Sequence, residues 1–144
     1  MTAVDALQHT LAAEHAAVYV YGALGGMTSQ ASAAALYATL TEGYDAHRTR
    51  RDALVAQLGR RGERPVAAEA VYDLPADLAG EGQVRRAARS VERACAETYA
   101  ALVSETTGDL RSGALAALAE SALRELDLGA EPQHFPGVPE LRDR

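Results

Sequence analysis

The chain has 144 residues, is 48% hydrophobic and carries a net charge of -6, with a pI near 5.2. That suits one globular domain with a sizeable core, and the acidic balance argues against nucleic acid or an anionic membrane surface as partner. A single cysteine, Cys95, excludes an intramolecular disulfide and a cysteine-based zinc site.

All 14 basic residues are arginine, and Lys, Ile, Asn and Trp are absent. We read this as the codon bias of a GC-rich bacterial genome rather than as function. The start, "MTAVDALQHTLAAEH", has neither a basic n-region nor an unbroken apolar run, so no signal peptide is expected. No segment approaches the roughly 18 consecutive apolar residues of a membrane span. A soluble, cytoplasmic protein is the expectation.

Ala-rich segments at a helical period, with few β-branched residues, predict an all-α chain. The first helix is expected over about Ala3–Leu24, with an inward stripe of Leu7, Leu11, Glu14, Val18 and Tyr21. The glycines of "GGMTSQ" are expected to end it, with Thr28 or Ser29 capping the next helix. A second helix is expected over about Ala31–Arg61, striped by Leu36, Leu40, Gly43 or Tyr44, His47, Arg51, Leu54 and Leu58, with Gly62 and Pro65 closing it. The third is expected over about Glu81–Thr106, with Val84, Ala88, Val91, Cys95, Thr98 or Tyr99, and Leu102 inward. After a tight turn at "TTGD", the fourth is expected over about Leu110–Leu128, with Leu115, Leu118, Ala122 and Leu126 inward. A proline-containing tail, about 129–144, is expected to be extended and to pack through Phe135. The whole of 1–144 then forms one domain.

Short loops make hairpins of helices 1 and 2 and of helices 3 and 4. Between the hairpins lie the 18 residues Glu63–Gly80, with two prolines and no clear period. A helix of about 24 residues is roughly 36 Å long, and such a linker can span that length at up to about 3.3 Å per residue. Helix 3 then starts parallel to helix 2. The prediction is an up-down-down-up four-helix bundle with a long crossover between helices 2 and 3, the topology of ferritin-like folds.

Placing residues at 100° intervals brings unexpected polar groups inward. Glu14 lies inside the apolar arc of helix 1, with His15 and Tyr21 at its edges. On helix 2, His47 is near the arc's centre and Arg51 is inside it, while Tyr44 and Arg50 flank. Glu92 and Tyr99 flank the stripe of helix 3, and Glu125 lies at the margin of helix 4. By register Glu14 falls within about a turn of His47, and Glu92 falls close to Glu125. Glu14, His47, Glu92 and Glu125 are therefore candidate ligands for iron or manganese. Di-iron bundles use one Glu on each of two helices and Glu-x-x-His on each of the other two. Here the residue three before His47 is Tyr44 and the residue three after Glu125 is Leu128, so both motifs are incomplete.

"AAEHAAVYVYG", "AHRTRRDAL" (46–54), "ERACAETYAALV" (92–103) and "FPGVPE" (135–140), in this order, resemble a small ferritin-like domain family of uncharacterised function, typical of high-GC Gram-positive bacteria. The resemblance spans nearly the whole chain. It implies a ferritin-like bundle and no established activity. Glu14 matches the first-helix Glu of the wider ferritin and rubrerythrin pattern and His47 the second-helix His; the second-helix Glu and fourth-helix His have no match.

These residues suit three functions, in descending order. The first is a non-catalytic bundle in which Glu14, His47 and Arg51 form a buried charge network, a degenerate metal site without cofactor or catalytic residue, whose role is binding or assembly. The second is an iron or manganese protein with oxidation chemistry. The third is a small-molecule binder using a vacated pocket lined by Tyr21, Tyr44 and Tyr99. A homodimer is expected, with no known small-molecule substrate. Cys95 reads as a small core residue, His15 and Tyr19 as edge residues, and the arginines of "RTRR" and "VRRAARSVER" as a solvated face.

Overall fold

In the computed structural model, which describes residues 1–141, four helices carry the fold: α1 (Ala3–Met27), α2 (Ala34–Arg60), α3 (Glu81–Glu105) and α4 (Gly108–Asp127), followed by a 3-10 turn at Pro139–Leu141. Thr2 opens α1 with a capping box: its Oγ1 accepts from Asp5 N at 3.1 Å, and Asp5 Oδ2 accepts from Thr2 N at 2.9 Å. Contrary to expectation, Gly25 and Gly26 do not end this helix. Neither takes a positive φ, and the chain stays helical until Thr28 turns extended and its hydroxyl donates to Leu24 O. Gly62, at φ +73°, does sit where α2 ends, in the left-handed conformation that glycine adopts without strain.

Register fixes the helix directions. Against α2, α1 pairs Tyr21 with Gly43 and Glu14 with His47, so the two are antiparallel. Against α3 it pairs Thr10 with Thr98 and Tyr21 with Glu92, again antiparallel. Hence α2 and α3 run parallel. Helix α4 reverses on α3, with Glu92 opposite Arg124 and Arg89 opposite Gly129 just past the end of α4. The result is the predicted up-down-down-up bundle. Its crossover returns along α1: Val66 N donates to Gln8 Oε1 at 2.8 Å, Val66 O meets His15 Nε2 at 3.1 Å, and Tyr72 packs on Tyr19 with ring centroids 5.4 Å apart.

Two apolar clusters fill the bundle. One contains Leu7, Leu11, Leu54, Leu58 and Leu102; the other contains Val20, Leu24, Leu36, Leu40, Val84 and Leu128. Along α1, Glu14 falls between Leu11 and Ala17 of the first cluster, and Val20 of the second follows a turn after Ala17, so a polar layer is set into the core near their junction. The α1–α2 seam is close because Gly43 has no side chain: an added methyl would fall inside the Tyr21 ring.

The face of α4 differs from the expected one. Ala114, Ala117, Ser121, Glu125 and Leu128 turn inward, whereas Leu115 and Leu126 are exposed. Small residues let α4 lie close to α3, and Ser121 meets an arginine from α2. The tail departs too: Phe135 is 46% exposed. The close approach belongs to Gly137, which has φ +77° and lies so near the Ala96 carbonyl that a Cβ would collide with it.

Candidate functional site

The polar layer draws on all four helices. Glu14, His47 and Glu92 are each 0% exposed. Glu14 Oε2 lies 2.6 Å from His47 Nδ1, and Glu92 Oε1 lies 3.1 Å from His47 Nε2. The imidazole therefore bridges a carboxylate on α1 and a carboxylate on α3. Tyr99 Oη donates to Glu14 Oε1 at 2.8 Å, and Tyr21 Oη donates to Glu92 Oε1 at 2.6 Å. Arg124 NH1 donates to the same Glu92 oxygen at 3.2 Å. Arg50 NH1 lies 3.9 Å from Glu14 Oε1 and donates to Ser121 Oγ at 3.1 Å, while NH2 donates to Glu120 Oε2 at 2.7 Å.

Protonation follows from these contacts. Burial works against a charged His47, but the hydrogen bonds and charges of Glu14 and Glu92 outweigh it and raise its pKa above the usual value. Burial works against a charged Glu92 as well; His47, Arg124 and the Tyr21 hydroxyl override it and hold the carboxyl at about 2. Both ring nitrogens of His47 face carboxylate oxygens, an arrangement that favours the doubly protonated imidazolium. Burial, then the neighbouring carboxylates, push the Tyr21 and Tyr99 phenols upward. The Cys95 thiol rises well above its ordinary value, first through burial and then through Glu14 and Glu92.

Of the sequence-derived candidates, Glu14, His47 and Glu92 come together. Glu125 does not join them: it is buried under the tail, where Arg93 NH2 at 3.2 Å and Gln133 Nε2 at 3.4 Å donate to Oε2. Arg51 is corrected to Arg50. Arg51 turns outward and pairs with Asp52 at 2.7 Å, while Arg50 is 9% exposed inside the layer. The signal was in the spacing: 36, 40, 43, 47, 50 and 54 alternate by four and three, as a helix seam does. A 100° wheel of single residues blurs that alternation. Tyr21, Tyr44 and Tyr99 do not line one cavity. Tyr21 and Tyr44 border a groove of about 370 Å³ between α1 and α2, and Tyr99 borders one of about 170 Å³ beside α4. The hydroxyls of Tyr21 and Tyr99 instead act as donors to the two buried carboxylates.

The donors do not fit a metal. Ligand atoms of Glu14, His47 and Cys95 lie within 4.8 Å of one another, but ligation needs a deprotonated imidazole nitrogen and a thiolate. Here both ring nitrogens are already taken up by carboxylates of Glu14 and Glu92, and burial raises the thiol well above its ordinary pKa. Arg50 and Arg124 add positive charge where a cation would sit. Among the described residues, Glu92 Oε2 is the only buried carboxylate oxygen without a donor, and one vacant oxygen is not a coordination sphere.

No curated protein matches the chain. A solved structure of a conserved hypothetical protein from Mycobacterium tuberculosis is 30% identical and superposes with a TM-score of 0.79, over 88% of this chain and 94% of that one. A family model described as a domain of unknown function matches residues 6–140. That span holds most of α1, the other three helices and nearly all of the described tail, and the chain belongs to this family, Domain of unknown function (DUF4439).

Proposed function

We propose that the protein is a non-catalytic, ferritin-like bundle whose buried Glu14–His47–Glu92 layer occupies the place of a metal site without serving as one. The observation that carries this reading is the imidazole with both nitrogens against carboxylates. An imidazolium between two carboxylates does electrostatically what a cation would do there, and two flanking arginines complete the charge balance. The layer joins four helices and is sealed from solvent, so it sets packing and register rather than reaching a substrate.

Two measurements test the reading. Nitrogen-15 spectra of His47 are expected to show both ring nitrogens protonated at neutral pH. Protein purified without chelator or affinity metal, then exposed to Fe(II) or Mn(II), is expected to retain neither in stoichiometric amount. A tightly held ion lost in Glu14→Ala, together with an unprotonated His47 nitrogen, overturns the proposal in favour of an iron or manganese protein.

Assembly is one role open to such a bundle. Leu115, Leu123 and Leu126 are 48%, 60% and 40% exposed on α4, and their spacing places them within one sector of the helix. A second copy of the chain is the occupant we assign to this stripe, giving a homodimer. Sedimentation is expected to show a dimer that Leu123→Glu converts to monomer; a wild-type monomer at high concentration rejects the assignment.

A further inference from the structure

The arginines of "VRRAARSVER" do more than solvate a helix. Arg86, Arg89 and Arg93, spaced three and four apart, fall on one face of α3. The chain leaving α4, from Gly129 to His134, crosses opposite them, and the two enclose an open cavity of about 610 Å³. Ser90, Gln133 and His134 also line it. This volume lies within the range of about 300–1,000 Å³ typical of small-molecule sites.

The electrostatics run against the rest of the molecule. The chain carries a net charge of -6, yet three guanidiniums face this cavity, with Glu131 as the acidic residue of its wall. Guanidinium does not deprotonate in proteins, so the charge is permanent. The donors are only partly used. Arg89 spends NH1 on Gly129 O at 2.7 Å, which fastens the tail, and Arg93 spends NH2 on Glu125. Among the described residues Arg86, which is exposed, has no ion-pair partner, whereas the Arg93 Nε, which has no acceptor, is sealed from solvent.

From this geometry we infer that the α3–tail cavity is a binding site for a small phosphate-bearing molecule of about mononucleotide or sugar-phosphate size. Arginine forks match phosphate oxygens two at a time, and a phosphate group places up to about two negative charges on three acceptor oxygens. Ser90, Gln133 and His134 offer uncharged contacts to whatever the phosphate carries. The "FPGVPE" segment then acquires a purpose: Gly137, seated on α3, anchors the tail strand that forms one wall.

Calorimetry at low ionic strength tests the site, with pyrophosphate, AMP, citrate and sulfate as probes. One-to-one binding of pyrophosphate and AMP is expected, stronger than that of citrate or sulfate. Because Arg86 is exposed and unpaired, Arg86→Gln leaves the fold intact, and it is expected to weaken binding about tenfold. Glu131→Gln, which removes the carboxylate in the wall, tightens binding. Arg111→Gln, at the far end of α4, leaves it unchanged. The inference fails if pyrophosphate and AMP give no saturable heat, if Arg111→Gln weakens binding as much as Arg86→Gln, or if sulfate binds as well as pyrophosphate. Citrate binding tighter than both phosphate probes overturns the phosphate assignment. None of these outcomes bears on the buried layer, so this site and the proposed function stand or fall separately.

Discussion

His47→Ala is expected to destabilise the bundle by about 3–5 kcal/mol, because it removes the cation from between two buried carboxylates. For a domain of this size that is a fall of roughly 10–15 °C in Tm. Glu14 and Glu92 contact opposite nitrogens of the same ring, at 2.6 and 3.1 Å. Without it, two charges with no exposure face one another across a new cavity, and one must take up a proton or draw in water. Glu14 retains Tyr99 and a distant Arg50, and Glu92 retains Tyr21 and Arg124, so the loss is severe without being total. The same physics predicts the rescue. A buried ion network is commonly no more stabilising than well-packed apolar residues of similar volume. Replacing the whole layer, with Glu14→Leu, His47→Leu and Glu92→Leu together and Tyr21→Phe and Tyr99→Phe to remove the stranded hydroxyls, is expected to recover most of the stability lost in His47→Ala. Arg50 keeps Glu120 and Ser121 in that variant, and Arg124, with a 17% exposed side chain, can turn to water. Denaturant unfolding of the three proteins decides the matter: an apolar variant no more stable than His47→Ala would show that the layer contributes something packing cannot replace.

Much of this was legible because helix periodicity is a strong signal and linker length a simple geometric one. Leu7, Leu11, Glu14 and Tyr21 fall on the buried face of α1 as their spacing requires, and the 18 residues from Glu63 to Gly80 suffice to carry the chain back along it. What the wheel does not resolve is a rotation of one residue. Arg50 and Arg51 differ by about 100° around α2, and only the alternating seam spacing selects Arg50. On α4 the leucine-rich stripe looked like the core, yet Ala114, Ala117 and Ser121 face inward. In an Ala-rich helix both faces are apolar enough to pack, so the choice falls to close approach, which favours the small residues. At 100° per residue Glu92 falls beside the stripe of α3 rather than within it, yet it is fully buried. The three donors that make its burial tolerable arrive from three other helices, information a single helix does not contain. The arginine-lined cavity was equally hidden, since its second wall is the tail.

The charge state of the layer makes stability depend on pH in both directions. His47 has a folded pKa above its ordinary value of 6.5; the proton is bound more tightly in the folded protein, so its contribution is complete below that value and is lost as pH rises through the folded pKa. Glu92 is the reverse case. Its folded pKa falls from 4.5 to about 2, so its contribution is complete above 4.5 and is lost as pH falls toward 2. Both contributions are whole only between those two ordinary values, and maximal stability is expected in a window around pH 4.5–6.5. A fall of that size in a fully buried carboxyl corresponds to about 3 kcal/mol at about 1.36 kcal/mol per unit, which sets the depth expected on the acid side. The groups in contact with His47 are Glu14 from α1, Glu92 from α3 and the Tyr21 ring 5.0 Å away, and the phenol is pushed upward, so it adds no titration near neutrality. Urea unfolding at acid, mildly acid and alkaline pH should therefore trace a maximum in the wild type. The five-substitution apolar variant should lose the part of the decline that begins near pH 6.5, since the histidine responsible is gone; the decline owed to Cys95, whose buried thiol is also raised, starts only above its ordinary value of 9.0. A wild-type stability that climbs steadily from about pH 5 into the alkaline range would mean that His47 is neutral when folded. An uncharged ring has a lone pair to offer, and the case for a metal in place of the proton would then reopen.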